Sequence, residues 1–358
     1  MPEKMKSWLV GTGILLSLAI LVALIGEAER LGIGTAPTER LVLLNWPDYT
    51  PPELLLDFEN TTGIKVVLKT YESNEDLLAV LQSPNPKFDL VVLSHAMVAV
   101  AIRKELLARV TPNAMENFAN LDPRWVNLTF DPGRMYSVPY AWGTSSLVVN
   151  SRITGVEVNS LGVLFNPPST VRGRIALLDD ASQVIDSALR VLGLPRCSAD
   201  SAELGKIEAL LTTQKKWVRY LHADQIGALL ASGELYIGQL WNQHALAARQ
   251  HKPSLLYVYP KEGISGWMDN LAVPKGARNL AAAKKFLNWF MTPKKAAMVS
   301  NFVHYHNGIQ GSVRYMKPEL AGASEIVPPQ SAPVPNFGLP CPDAARRGHE
   351  ALWRRVRN

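Results

Sequence analysis

Asp269 stands between Met268 and Asn270 in an otherwise apolar stretch, and Trp46, Trp241 and Trp267 each fall at the end of an apolar run or at a crossing between lobes. A carboxylate in such a setting is costly unless a cation meets it. An indole face attracts a cation and covers methylene groups at the same time. Acids and flat rings in this combination suit a small organic cation carried on an apolar spacer. Asp180, after the apolar run 175–178, is a second candidate acid with a competing task, because Asp180 and Gln183 have the spacing of a helix capping box. Each cation over a ring is worth roughly 0.5–2 kcal/mol, and each charge-assisted hydrogen bond to a carboxylate roughly 1.5–3 kcal/mol. Two carboxylates and several rings reach a gross figure on the order of 10 kcal/mol, from which the ordering of a flexible ligand subtracts. Micromolar binding requires about 8 kcal/mol.

The elements that must position these groups alternate between apolar strand and amphipathic helix. Residues 40–45 read as a strand, and Thr50-Pro51-Pro52-Glu53 reads as a capping box opening a helix that Gly63 ends. Residues 64–69 form the next strand, Ser73-Asn74-Glu75-Asp76 caps a second helix, and 88–93 is an apolar strand of the kind buried on both faces. Strand and helix in this order with short turns predict a parallel sheet with right-handed crossovers. Ligands in such sheets bind beyond the carboxyl ends of the strands. Those ends carry Trp46 and Tyr49 after the first strand, and Ser94 and His95 after the third.

From 136 to 150 the sequence crosses into a second lobe, with a strand at 175–178, a helix at 182–192, a strand at 235–240 and a helix at 243–250. It is expected to cross back near 270–275, and helices at 281–290 and 292–301 then pack on the first lobe. A proline- and serine-rich stretch, 308–342, wraps the surface before a final helix.

Length and composition fit this reading. A chain of 358 residues with 47% apolar and 19% charged residues is large enough for two lobes, each with its own core. An uncharged apolar run, 8–25, follows Lys4 and Lys6 and precedes Glu27, Glu29 and Arg30; it reads as a signal peptide or an uncleaved N-terminal membrane anchor. Two cysteines, Cys197 and Cys341, give neither a metal-type spacing nor a disulfide framework, and they either pair or stay free. Of the net charge of +6, much sits in the tail, where Arg346, Arg347, Arg354, Arg355 and Arg357 face Glu350. This reads as a solvated amphipathic helix face, suited to anionic lipid or a transporter subunit rather than to nucleic acid.

The segments Asn45-Trp46-Pro47-Asp48-Tyr49, Thr62-Gly63-Ile64-Lys65-Val66, Tyr71-Glu72-Ser73-Asn74-Glu75, Phe88-Asp89-Leu90-Val91-Val92, Leu178-Asp179-Asp180, Leu240-Trp241-Asn242 and Trp267-Met268-Asp269 resemble the spermidine- and putrescine-binding proteins of bacterial ABC importers. Order and spacing hold from about residue 40 to about residue 310. The resemblance implies an α/β, two-lobed periplasmic-binding-protein-like fold of type II, with a mixed sheet in each lobe and the ligand cleft between them. Its lobes are expected at 40–145 plus 271–310 and at 146–270 plus 311–358. It implies a polyamine ligand, ABC permease and ATPase subunits as partners, no cofactor or metal, no catalysis, and a periplasmic or otherwise extracytoplasmic location. Carried over by position, it points to Trp46, Tyr49, Ser94, Asp180, Trp241, Trp267, Asp269 and Tyr305 as ligand-binding residues, with Asp48, Gln183 and His244 as further candidates.

Departures from the family pattern matter as well. The neutral Gln183 stands where the spermidine type has a glutamate, His244 where the putrescine type has an acid, and Ala96 where a further aromatic is expected. The pocket is therefore expected to be less anionic than in its relatives. Alternative readings are a membrane-tethered amine sensor and a two-lobed metal binder using His244, His304 and His306. No phosphate loop, nucleophile elbow or zinc-protease pattern supports an enzyme.

Overall fold

In the computed structural model residues 40–83, 86–154 and 158–357 are described. The apolar run 8–25, and with it the signal or anchor expectation, lies outside them. Among the described residues no helix is long and apolar enough to cross a membrane.

The first lobe begins with β1 (Arg40–Asn45), α1 (Pro52–Thr62), β2 (Lys65–Thr70), α2 (Asn74–Leu81), β3 (Leu90–Ser94) and α3 (His95–Arg103). β1 pairs in parallel with both β2 and β3, as the strand–helix alternation predicts. The expected capping box at Thr50 does not form. Pro51 is the N-cap with no side-chain bond, and Thr50 is buried, its hydroxyl accepting from Asn45 Nδ2 at 2.7 Å. Proline already has its φ set for a helix start, so this end needs no side-chain acceptor. Gly63 ends α1 at φ 75°, where a Cβ is disfavoured. Ser73 caps α2 by accepting from the Asp76 N–H. β3 is buried on both faces up to Ser94, because helices cover each side.

β4 (Ser137–Asn150), fourteen residues all buried, carries the chain from one lobe to the other. β9 (Ser265–Ala272) runs antiparallel beside its first half, and β7 (Ile237–Trp241) and β8 (Leu255–Val258) flank its second half. The second lobe adds β5 (Ile175–Leu178), α4 (Ala181–Leu192), α5 (Ser201–Gln214), β6 (Val218–Leu221), α6 (Ala223–Ser232) and α7 (Asn242–His251). The whole ladder reads β2-β1-β3-β9-β4-β7-β5-β6, with β8 on β4. Both lobes are mixed sheets, and they share β4 as a common strand. Ser145 is the pivot of the ladder, pairing with Trp241 of β7 on one side and Ser265 of β9 on the other. The return crossing thus begins at Ser265, earlier than the expected 270–275.

Separate cores lie to either side of this pivot. One gathers Leu41, Leu43, Phe58, Leu271, Phe286 and Phe290, and the other Leu147, Ile175, Ile185, Ile207, Leu211 and Ile237. α8 (Leu280–Phe290) and α9 (Pro293–Val303) pack on the first core, as their sequence pattern predicts.

The chain then returns. Cys341 bonds to Cys197, 144 positions earlier, which settles the question of pairing. α10 (Asp343–Arg357) buries Ala345, Leu352 and Val356 on the second lobe. Its arginines are less free than the sequence suggests. Arg346 pairs with Asp343 and Glu350, Arg355 makes a two-point bond to Glu208 (2.8 and 2.7 Å), and Arg357 reaches Asp179 at 2.7 Å. Two of the tail's five arginines thus tie this helix to the rest of the second lobe.

Candidate functional site

The floor of the site follows from strand register. Residues directly opposite in an antiparallel ladder share a face, and so do alternate residues along one strand. Asp269 lies between Ser94 of β3 and Ala141 of β4, Trp267 lies opposite Gly143, and Ser265 lies opposite Ser145, which is itself opposite Trp241. One sheet face therefore carries Ser94, Asp269, Trp267, Ser265, Ser145 and Trp241 in three adjoining rows, from the first lobe to the second. Gly143 is what lets this surface close. A Cβ there would stand 2.5 Å from Trp267 Cζ2 and 2.6 Å from the Asn242 amide oxygen.

Asp269 is the electrostatic centre. It is 9% exposed, and among the described residues it has no ion-pair partner. Burial pushes its carboxyl up to about 7, against which the Tyr49 hydroxyl stabilises the ionised form. Four phenols surround it. Burial together with the Asp269 charge raises the pKa values of Tyr49, Tyr71 and Tyr305, and burial chiefly raises that of Tyr140, so all four are neutral donors at pH 7. Tyr140 is held by its hydroxyl, which donates to the Tyr49 carbonyl at 2.7 Å, and Tyr71 donates to the Val92 carbonyl at 2.8 Å. The rings interlock. Trp46 lies 4.3 Å from Tyr71 and Tyr49 5.7 Å from Tyr140, and Trp267 stands edge-on to Tyr305 at 4.5 Å. A carboxylate inside a wall of aromatic faces attracts an ammonium group by charge and by ring quadrupole together.

From Trp267 the surface continues into a cavity of about 260 Å³ between the lobes. His95 and Ala96 close it from the first lobe, Ser182, Gln183, Asp186 and Arg190 from α4, and Asn336, Gly338 and Pro340 from the returning chain. His95 fixes this corner. Its Nδ1 accepts from the Met268 N–H at 3.3 Å, so Nε2 carries the proton and donates to the Gly338 carbonyl at 3.2 Å. Burial pushes its pKa down to about 4, so the ring is neutral. Phe337 is buried in the first lobe against Trp125, 5.4 Å away, and His95, 5.9 Å away.

Not every residue singled out in the sequence joins this surface. Ser94 sits beside Asp269 in the ladder, while its hydroxyl caps α3 by accepting from Met97 N–H at 3.3 Å. Asp180 is the N-cap of α4. Its Oδ1 accepts from the backbone and hydroxyl of Ser182, both at 2.8 Å, and from Gln183 N–H at 3.3 Å. It lines a second, larger cavity of about 370 Å³, together with Ile185, Leu189, Cys341, His349 and Glu350. That cavity holds no tryptophan or tyrosine, so the smaller one, continuous with Trp267, is the better candidate. Asp48 is exposed on a turn at φ 51°. Trp241 is half-buried with its ring 5.5 Å from His244, whose Nε2 faces Asp224 at 3.4 Å and whose pKa burial lowers. His306, considered above for a metal site, stacks on Trp142 at 5.2 Å because the loop folds back on β4. Among the described residues no group of three potential ligands could hold a metal ion.

The sequence pattern of the bacterial extracellular solute-binding proteins matches residues 53–320. The chain belongs to that family. The spermidine/putrescine-binding periplasmic protein of Escherichia coli is 35% identical to this solute-binding protein over 309 residues, 84% of this chain and 87% of that one. The putrescine-binding periplasmic protein of the same species is 28% identical and covers 99% of this chain and 98% of its own. Among solved structures, the spermidine/putrescine ABC transporter substrate-binding protein of Streptococcus pneumoniae superposes with a TM-score of 0.77 at 25% identity, covering 89% of this chain and 98% of that one. The two-lobed fold expected from the sequence is thus the family's fold.

Sequence reasoning missed Tyr71 and Tyr140 as walls of the Asp269 cage, and Gly143, Ser145, Ser265, Arg190 and Arg196 as residues of the cleft. Tyr140 and Gly143 stood in the motif Tyr-Ala-Trp-Gly within the crossing strand, where side-chain alternation was the available signal. The 336–340 contribution had no local signal, since it depends on the long return from Cys341.

Proposed function

We propose that this solute-binding protein is the extracytoplasmic component of a polyamine importer, and that it seats a ligand ammonium on Asp269. One observation carries the reading: a buried carboxylate ringed by four phenols, two of which pack against indoles, with no cationic partner among the described residues. Burial makes the ionised form of this carboxyl costly, and a cation from outside offsets that cost. The relatives named for spermidine and putrescine binding support the ligand class, and their periplasmic naming supports an extracytoplasmic location. The run 8–25 would serve as export leader or anchor. Trp46, Tyr49, Ser94, Trp267, Asp269 and Tyr305 form the ammonium end, and Trp241 and Gln183 approach from the second lobe. Asp180 is assigned to the helix start.

Binding closes the lobes about the shared strand, because a ligand touching both stabilises only the closed form. The closed face is then recognised by permease and ATPase subunits. The chain carries its ligand and does not transform it.

Titration calorimetry with putrescine, spermidine, spermine and agmatine tests this. At least one amine is expected to bind in the micromolar range or tighter, with a loss of at least ten-fold in Asp269→Asn. Equal affinity in that variant would remove Asp269 from the site, and no heat with any amine would remove the ligand class.

A further inference from the structure

The ammonium end of the cleft is well provided for, and the opposite end has the reverse character. Arg190 and Arg196 both line the 260 Å³ cavity, with Asp186 between them. Asp186 is already engaged: Oδ2 accepts from Arg190 Nε at 2.7 Å and from the Ser265 hydroxyl, and Oδ1 faces Arg196 Nε at 3.7 Å. An ammonium approaching the remaining Oδ1 meets the Arg190 and Arg196 guanidinium groups that flank it. Two guanidinium groups against one carboxylate leave this end net positive, and Gln183 adds no charge. Ser145 supplies an independent sign. It is 7% exposed, lines the cavity, and its hydroxyl has no hydrogen-bond partner. A buried polar group without a partner is uncommon in a native fold, and one on a residue that lines a cavity points to a group arriving from outside.

We infer that the ligand is two-faced, with a primary ammonium at one end and an oxygen acceptor, acyl or carboxyl, at the other, received by Arg190, Arg196 and the Ser145 hydroxyl. The inference rests on the ammonium reading of Asp269. Like charges repel most strongly where water is excluded, so a second ammonium set against this net positive end opposes binding. A guanidinium instead pairs naturally with a planar oxygen group. The spacing is compatible. Ser265, whose hydroxyl marks the arginine end, lies four residues from Asp269 on β9, about 13 Å along the strand. Allowing about 3 Å for a hydrogen bond at each end leaves ~7 Å for the ligand. That is the length of a short ω-functional chain rather than a long oligoamine.

The test is titration calorimetry of the whole protein with putrescine, N-acetylputrescine and 4-aminobutyrate at matched ionic strength. One of the two oxygen-ended compounds is expected to bind at least ten-fold tighter than putrescine, and which one does so distinguishes acyl from carboxyl. Arg196→Gln should shrink that preference at least five-fold. Because Arg196 also supports the Leu339 carbonyl, Gln183→Glu is a second arm that leaves the arginines in place; it should shift the preference towards putrescine. Putrescine binding as tightly as or more tightly than both, with the order unmoved by either substitution, overturns the inference while leaving the ammonium site standing. Failure of all three compounds to bind overturns the ammonium reading and the inference together.

Discussion

Asp269 was legible as a chemical anomaly, an acid inside an apolar strand, and its consequences are measurable without a ligand. Its carboxyl sits at about 7 in the folded protein, above its ordinary 3.8, so the folded state holds a proton that the unfolded state has released between these values. Stability is therefore greatest below about pH 4 as far as this group is concerned and declines as pH rises towards 7. Three pH units correspond to about 4 kcal/mol as an upper bound. Asp269→Asn is expected to raise the melting temperature of the ligand-free protein at pH 8 and to change it little at pH 4, checked by calorimetric melting; an unchanged melting temperature at pH 8 would mean the burial cost is relieved some other way. Tyr71 and Tyr140 were not legible as partners, since a tyrosine in or beside a strand is ordinary packing until its neighbour is known to be a carboxylate. Gly143 was hidden for a similar reason. Gly143→Ala places a methyl group against Trp267 and Asn242, and is expected to weaken ligand binding by about ten-fold, roughly 1.4 kcal/mol, and to cost about 1–3 kcal/mol of stability by overpacking the buried strand.

At the scale of elements, the alternation of strand and helix gave the parallel order of β1, β2 and β3, and helix starts were recovered at Ser73 and Asp180, whereas Ser94 and Asp200 cap helices that the sequence pattern did not mark. Ser73 illustrates that success. Thr50 shows the limit, because Pro51 already orders the helix start and frees the threonine to hold Asn45 instead. Strand ends shifted by a residue or two, and β9 began five residues before the expected crossing, because register with β4 rather than local hydrophobicity defines it. Asp180 had two readings in the sequence, and its bonds favour the helix cap. Asp180→Ala should then cost about 0.5–2 kcal/mol of stability while ligand affinity stays within about two-fold, as read by denaturant melts and calorimetry on the same preparation. A ten-fold loss of affinity would return it to the ligand.

The whole molecule is held by contacts between residues far apart in sequence, and these were the least legible. A proline-rich return over 308–342 was foreseen as a wrap. That it inserts Phe337 into the first lobe, ties Gly338 to His95 and fastens Cys341 to Cys197 in the second could not be read from local pattern. The disulfide encloses 144 positions, and in the chain-entropy view such a loop adds about 2–5 kcal/mol. Cys341→Ser is expected to lower the melting temperature markedly, and reductant should do the same to the parent protein but not to the variant. Equal melting in all four conditions would show the bond to be dispensable.

Ligand binding itself gives the most direct check on the central claim that an ammonium completes the Asp269 cage. At pH 6 the free carboxyl is mostly protonated, and an adjacent ammonium favours its ionised form. Calorimetry at pH 6 in two buffers of different ionisation enthalpy should therefore show release of close to one proton per amine bound, fading by pH 8 and absent in Asp269→Asn. Binding with no proton release at pH 6, or with the same release in the variant, would contradict the account.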